Sequence, residues 1–228
     1  MEQLKLLKNA IANKADVIII SASDPKFLND TIKKASENGI KFIFIDSNAN
    51  CNAEQIIQTD NYTAGKIAAK EMIKYLKEKS ILNGNIGIIN VNPYTQSLSD
   101  REKGFKEVME GEDYKIFSTR YSDGEALRAK KECETLLKLG IVGLFSTNEG
   151  ASKGAGLALK ETKDKIVAIS FDSPKNLQEL IREDIFSATI KQNPYLMGYE
   201  SMKSAIKLLN NQSLNKRFIN TGIEVINR

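Results

Sequence analysis

Two successive strand-like runs, each ending at a polar side chain and followed by a proline, constrain the fold of this chain most strongly. The run at residues 166–171 (IVAISF) precedes Asp172, and the run at residues 186–191 (FSATIK) precedes Gln192. Ser173 and Pro174 form a helix-start signal, which predicts a helix over residues 175–182. In open α/β sheets, ligands bind beyond the carboxyl ends of the strands. Asp172 and Gln192 are therefore the first binding-site candidates.

Short strand-like runs alternate with amphipathic helical patterns along the whole chain. The predicted strands cover residues 16–20, 41–45, 85–90, 114–121, 142–146, 166–171, 186–191 and 222–226. Predicted helices lie at the start of the chain and over residues 25–37, 61–79, 100–109, 124–139, 151–160, 175–182 and 196–209. This alternation predicts an α/β fold with parallel sheets flanked by helices.

The composition is that of an ordinary globular protein. The chain has 228 residues, of which 41% are hydrophobic and 27% charged, and its net charge of +4 is scattered along the sequence. Because no block of like charge occurs, nucleic acid is not expected as a partner. No apolar run approaches a membrane span, and the amphipathic start does not have the pattern of a signal peptide.

Histidine is absent and only two cysteines occur, so neither a metal site nor a cofactor is predicted. Cys133 lies beside leucines in a helical pattern, which favours a buried position. Cys51 lies in a polar loop, which favours an exposed free thiol. No structural disulfide is expected.

Five polar residues stand at strand ends or at the helix starts that follow them. Planar carboxylate, amide and guanidinium groups suit ligands with paired hydroxyls. Each residue also has a structural alternative: strand termination for the aspartates, a solvated helix position for the arginine, a helix cap for the asparagine and turn chemistry for the glutamine. The candidates are Asp46, Arg101, Asn148, Asp172 and Gln192.

An enzymatic function would need a nucleophile with a base, or a paired acid and base. Asp46 and Asp172 could form such a carboxylate pair, as in a glycosidase. The absence of histidine, of a metal cluster and of a phosphate loop argues against catalysis. Gly150, Gly154 and Gly156 do not form a dinucleotide-binding turn, and helix packing explains them better.

The segment FDSPKN…SATIKQNPYLMGYESM resembles type I periplasmic sugar-binding proteins of the ribose-binding group. These are solute receptors of ABC importers and are related to LacI-type ligand domains. The resemblance extends over nearly the whole chain, and the five candidates match ligand-contacting positions of the family in order. It implies two Rossmann-like lobes, formed by residues 1–61 plus 194–219 and by residues 62–193 plus 220–228.

The resemblance also implies a function. Such a protein captures a sugar or polyol between its lobes, without altering it, and presents it to an ABC permease. The full-length form would be extracytoplasmic, either periplasmic or a cell-surface lipoprotein. The alternative is a ligand-sensing domain of a LacI-type transcriptional regulator or of a sensor kinase.

The sequence departs from the family pattern in two respects. The family's first βαβ unit has no counterpart, so we expect an incomplete amino-terminal lobe that binds its ligand poorly or not at all. Such a lobe would expose an unpaired sheet edge that favours self-association. Ser47 stands where some relatives have arginine. Stacking aromatics are also missing, with Tyr121 and Tyr94 as the nearest substitutes.

Overall fold

The computed structural model describes residues 2–162, 165–172 and 174–227, without the side chain of residue 176. Its helices are α1 Glu2–Ala12, α2 Pro25–Glu37, α3 Asn61–Glu78, α4 Gln96–Met109, α5 Ala126–Lys138, α6 Glu149–Glu161, α7 Lys175–Arg182 and α8 Pro194–Leu209. Its strands are β1 Val17–Ile20, β2 Lys41–Ile45, β3 Gln55–Gln58, β4 Gly84–Asn90, β5 Tyr114–Ile116, β6 Arg120–Tyr121, β7 Ile141–Ser146, β8 Val167–Phe171, β9 Ala188–Gln192, β10 Phe218–Asn220 and β11 Ile223–Asn227.

The chain divides into two compact units. Unit 1 comprises Met1–Asp60, Tyr94–Ser97 and Asn193–Gly222, and unit 2 comprises Asn61–Pro93, Leu98–Gln192 and Ile223–Arg228. Each unit has its own sheet with helices on both faces, as the alternating sequence pattern requires. The predicted α/β class, with parallel sheets flanked by helices, is confirmed.

Unit 1 has a four-stranded parallel sheet in the order β1-β2-β3-β10. One face packs against α1 and α2 through a cluster that includes Leu7, Leu28 and Phe44. The other face packs against α8 through a cluster that includes Ile43 and Met197. Strand β1 lies at the end of this order, so one of its edges has no strand partner among the described residues.

Unit 2 has a sheet in the order β11-β9-β8-β7-β4-β5, with β6 also pairing with β4. One face packs against α3 and α4, where the rings of Phe105 and Phe145 stack at 4.5 Å. The other face packs against α5, α6 and α7. Strands β9, β8 and β7 are thus neighbours in the sheet and parallel to one another. Their carboxyl ends lie along one edge.

Several predicted elements need correction. The strand predicted over residues 114–121 is two short strands, because the chain leaves β4 after Ile116 and returns at Arg120. The last strand, β11, pairs antiparallel with β9 rather than parallel, and Phe218–Asn220 forms an additional strand on β3. Ser173, predicted as a helix cap, lies outside the described residues.

Local signals predicted the start of α2 and the role of a glycine in α6 more accurately. The Asp24 side chain accepts hydrogen bonds from the backbone N–H groups of Lys26 and Phe27, as a helix cap should. At Gly154, a Cβ atom would lie 2.2 Å from the carbonyl oxygen of Ala126 in α5. The glycine therefore permits the close approach of α5 and α6, which confirms helix packing as its role.

The two cysteines have different environments, and neither forms a disulfide. Cys133 is fully buried in the core of unit 2, as predicted. Cys51 is partly buried against the α1–α2 cluster of unit 1, so the prediction of an exposed thiol was wrong. Among the described residues, no helix has the length and apolar character that spanning a membrane requires.

We predict that the two thiols react at very different rates in the native protein. Burial raises the pKa of Cys133 to about 12 and also excludes reagent, so little reactive thiolate forms there near neutral pH. Burial also raises the pKa of Cys51, with nearby Lys33 opposing that effect, but part of this side chain remains accessible. Titration with DTNB should find one faster thiol in the native protein and two after denaturation without reductant. A denatured count below two would contradict this prediction.

Candidate functional site

The carboxyl ends of β8 and β9 place two predicted site residues in direct contact. The Gln192 amide nitrogen donates to Asp172 Oδ1 over 2.8 Å. Arg101 Nη2 in turn donates to Gln192 Oε1 over 2.7 Å. These contacts orient the Gln192 amide, because its oxygen accepts and its nitrogen donates. The structure therefore brings Arg101, Gln192 and Asp172 together in one hydrogen-bonded chain.

Arg101 is a buried residue and not the solvated helix position that its charged neighbours suggested. It is only 2% exposed, and its guanidinium lies over the Phe171 ring at 3.7 Å from the centroid. Its Nε donates to Asn61 Oδ1 and its Nη1 donates to the Thr147 carbonyl oxygen, both over 2.8 Å. A buried charge needs such partners, because a lost hydrogen bond to a charged group is costly.

Asn148 is the residue that precedes α6 and caps its start. Its Oδ1 accepts from the Ala151 N–H over 3.0 Å, so the helix-cap role weighed for it is present. The next N–H along the chain, that of Glu149, donates to Asp172 Oδ2 over 3.1 Å. Both oxygens of Asp172 are thus oriented by N–H donors. Within the described part of the chain, the Asn148 amide nitrogen has no hydrogen-bond partner.

Sequence reasoning missed the residues that support this cluster. Asn90, at the end of β4, accepts from the Thr147 hydroxyl over 2.7 Å and donates to Glu102 Oε2 over 2.7 Å. The other oxygen of Glu102 accepts from Lys106 and from Thr119 over 2.6 and 2.5 Å. Strand-end position could have singled out Asn90, whereas no local signal indicates the partners of Glu102.

Asp46 lies in unit 1, at the end of β2, and Ser21 Oγ donates to its Oδ2 over 3.3 Å. The loop after β1 is held by Gln3, whose amide donates to the Ser21 carbonyl oxygen and accepts from the Ser23 N–H. Sequence reasoning also missed Gln3. Ser47 is buried, and its Oγ accepts from the Ser97 N–H over 3.4 Å, so its side chain faces the protein.

The two aspartates end their strands with the same backbone turn. Asp46 and Asp172 have φ values of 61° and 68°, in the left-handed region that few residues other than glycine adopt. The Asp46 N–H donates to the Ile57 carbonyl oxygen over 3.0 Å, and the Asp172 N–H donates to that of Ile190 over 2.9 Å. Residues in this region are often found at functional sites, and aspartate tolerates it better than most.

Tyr94 and Tyr121, named above as the nearest substitutes for the stacking aromatics, make none of the hydrogen bonds that link Arg101, Gln192 and Asp172. Tyr94 belongs to the segment of unit 1 at Tyr94–Ser97 and is exposed. Tyr121 is partly buried, and burial, followed by the nearby Glu102 carboxylate, raises its pKa. No group of acidic, cysteine or histidine side chains that could hold a metal occurs among the described residues.

Comparison with known proteins decides the family. The family model described as "Periplasmic binding protein domain" matches residues 1–213. The chain belongs to this family. The resemblance seen in the sequence is therefore confirmed.

Relatives within this periplasmic binding protein family include solved sugar complexes. An ABC transporter solute-binding protein from Agrobacterium vitis with bound D-fucose has 30% identity and a TM-score of 0.94, covering 100% of this chain and 80% of that one. A carbohydrate transporter solute-binding protein from Agrobacterium radiobacter with D-arabinose has 28% identity and a TM-score of 0.95, with 99% and 79% covered. The ribose import binding protein of Haemophilus influenzae is 22% identical over 216 residues, which are 93% of this chain and 73% of that protein.

We predict that Arg101→Ala lowers the free energy of unfolding by about 2–4 kcal/mol, because it leaves the acceptors on Asn61, Thr147 and Gln192 without their donor. Arg101→Lys should recover only part of this loss, since a lysine cannot present three nitrogens in one plane. Urea unfolding followed by far-UV circular dichroism measures the change. The matched control is Arg128→Ala, an exposed arginine that contacts Asp123, for which a change within about 0.5 kcal/mol is expected. Equal effects at the two positions would contradict the prediction.

We predict that the stabilisation from Glu102 depends on pH. Burial raises the pKa of this carboxyl, but hydrogen bonds from Lys106, Thr119 and Asn90 outweigh burial and hold it below its usual value. A folded pKa below the unfolded value of about 4.3 means that charged Glu102 stabilises the fold above that pH. This contribution is lost as the pH falls through the folded pKa.

The comparison that tests this is wild type against Glu102→Gln, unfolded in urea at several pH values. The difference in unfolding free energy should be largest near neutral pH and should shrink below about pH 4. Glu107→Gln, at a more exposed position on the same helix, serves as the control. A difference between wild type and Glu102→Gln that stays constant with pH would refute the role assigned to the charge.

Proposed function

We propose that this protein binds a neutral sugar or a related polyol for delivery to an ABC importer and releases it unaltered. The observation that carries the proposal is the chain of hydrogen bonds from Arg101 through Gln192 to Asp172 at the strand ends of unit 2. Relatives at 30% and 28% identity were solved with D-fucose and D-arabinose bound. Planar groups of this kind match the paired hydroxyls of a sugar.

Each residue of the unit 2 cluster has a role in this proposal. Asp172 accepts hydrogen bonds from two sugar hydroxyls, because N–H donors on Gln192 and Glu149 hold its two oxygens in place. Arg101 donates to the sugar and Gln192 contacts it beside Asp172. Asn148 offers its amide nitrogen while its oxygen caps α6.

Unit 1 contributes Asp46 to sugar binding in this proposal. Its left-handed turn is the same as that of Asp172, and Ser21 and Gln3 hold the loop beside it. Ser47 faces the protein rather than offering a charged donor as arginine would. We further propose that units 1 and 2 are the two lobes of the family fold.

The remaining parts of the proposal follow from the family. The protein acts outside the cytoplasm and presents its loaded form to a membrane permease. Binding without catalysis agrees with a site whose oriented carboxylate has no histidine beside it, since the sequence contains none. We also propose that the protein associates with itself through unit 1, where one edge of β1 has no strand partner among the described residues.

We predict that Asp172→Asn weakens sugar binding about tenfold to a hundredfold, equivalent to about 1.4–2.7 kcal/mol. The substitution replaces one acceptor oxygen with an NH₂ group that must face either the Gln192 amide nitrogen or the Glu149 N–H. Ligand-observed NMR, which detects weak complexes, should be run with D-ribose, D-arabinose, D-fucose and a set of linear polyols.

Asp184→Asn provides a matched control for this substitution. Asp184 also lies in unit 2 with φ in the left-handed region, at 60°, but it is exposed and pairs only loosely with Lys165 at 3.9 Å. The control should bind sugar as the wild type does. If Asp172→Asn bound as tightly as the wild type, the proposed site would be wrong. If none of these ligands bound the wild type even weakly, the proposal that this chain itself binds sugar would be wrong.

A further inference from the structure

Helix α8 of unit 1 exposes a row of large apolar side chains. Tyr195 is 81% exposed, and the other four are between 54% and 56% exposed. The tyrosine rings at its start stack on each other at 6.4 Å between centroids. We call this row the α8 stripe, and it consists of Tyr195, Tyr199, Met202, Ile206 and Leu209.

The spacing of the α8 stripe is that of a helix–helix seam. Successive members are separated by four, three, four and three residues, which keeps them on one side of a helix through four turns. The opposite side of α8 is buried on the sheet through residues such as Met197, Ala205 and Leu208. Helix α8 is therefore apolar on two faces, a pattern expected of a helix that is covered on both.

The exposed area is large enough for a specific interface. A whole aromatic side chain buries about 150–250 Å² and an aliphatic one somewhat less, so the stripe exposes on the order of 500 Å². This lies at the upper end of the apolar patches found on monomers, about 300–600 Å². Two such stripes packed together would bury about 1,000 Å², which is the lower limit for a specific interface.

The order of residues along the stripe fits a second copy in the antiparallel direction. The bulky tyrosines lie at the amino-terminal end and the aliphatic Ile206 and Leu209 at the carboxyl-terminal end. Antiparallel pairing opposes Tyr195 to the second copy's Leu209, Tyr199 to its Ile206, and Met202 to its own equivalent. Each aromatic ring then meets a smaller side chain, as two-fold self-complementary packing requires.

Charge and local space favour the same arrangement. Glu200 lies in the first half of the helix, where it pairs with Lys203 at 3.4 Å, and Lys207 lies in the second half. Antiparallel packing would place Glu200 of each copy near lysines of the other. The helix dipoles also oppose each other in this direction. Gly198 lies beside the stripe and has no atom within 4 Å of where its Cβ would be, which leaves room for a side chain of the second copy.

We propose that the α8 stripe is a self-association surface that docks antiparallel against the α8 stripe of a second copy of this chain. The proposal concerns a different surface of unit 1 from the β1 edge named above, and it specifies the partner and the direction of docking. It places Tyr199 opposite Ile206 of the second copy, and this pairing can be tested directly.

The test is sedimentation velocity of the whole chain from about 1 to 100 µM, a range in which an interface of this size should dissociate and associate. The wild type should form dimers within this range. Tyr199→Glu and Ile206→Glu should each raise the dimer dissociation constant about tenfold or more, because each buries an unpaired charge in the seam. The double variant Tyr199→Glu with Ile206→Lys should dimerise again, because antiparallel packing pairs the new charges across the interface.

Two controls keep the outcome interpretable. Leu157→Glu changes an exposed leucine on α6 of unit 2 and should leave dimerisation unchanged. Far-UV circular dichroism should show that every variant is folded, and sugar titration of Tyr199→Glu should match the wild type. A monomeric wild type, dimers unaffected by Tyr199→Glu, or a double variant that stays monomeric would each overturn the proposal. None of these outcomes would bear on sugar binding, so the dimer proposal and the sugar-binding proposal are tested separately.

Discussion

The buried guanidinium of Arg101 needs hydrogen-bond acceptors, and residues along the strand-end edge of unit 2 provide them. The acceptors for Arg101 come from the start of α3, from the loop after β7 and from the end of β9. Each of these elements is therefore tied to α4 through one side chain. Removing the charge would take this donor away from acceptors on three separate elements, so the geometry of the edge depends on it.

The same contacts support the kind of ligand proposed for this edge. Positive Arg101 and negative Asp172 are linked through the neutral amide of Gln192, so the cluster presents balanced charge and oriented donors and acceptors. An ionic ligand would favour an excess of the opposite charge, whereas a neutral polyol needs paired donors and acceptors. The sugars bound in structures of related proteins, D-fucose and D-arabinose, have this character.

One strand in each unit, β2 in unit 1 and β8 in unit 2, is followed by an aspartate in the same backbone conformation. The sequences IDS at residues 45–47 and FDS at residues 171–173 both follow an apolar strand. In both, the aspartate adopts a positive φ while its N–H bonds to the neighbouring strand. In both units the aspartate comes directly after the last residue of its strand. A side chain held by its own backbone turn loses little freedom when it binds a ligand.

The sequence by itself determined what depends on near neighbours along the chain. Periodicity and caps defined the helices, as at Asp24, and the strand-ending aspartates were found because a strand end is a local pattern. The alternation of strands and helices was enough for the fold class. The family pattern also placed Arg101 and Asn148 among the site candidates.

Only the tertiary structure decided what depends on distant residues. The partners of Arg101 lie 40, 46 and 91 positions away, so its burial could not be read from its charged neighbours. The antiparallel pairing of β11 and the separation of β5 from β6 depend likewise on which strand lies alongside. Helix α8 is the plainest case: its sequence shows apolar residues on two faces, but only packing on the sheet decides which face is covered. Hydrophobic burial is non-directional, so the sequence pattern determines which residues gain from burial. The tertiary fold determines which of those residues are buried.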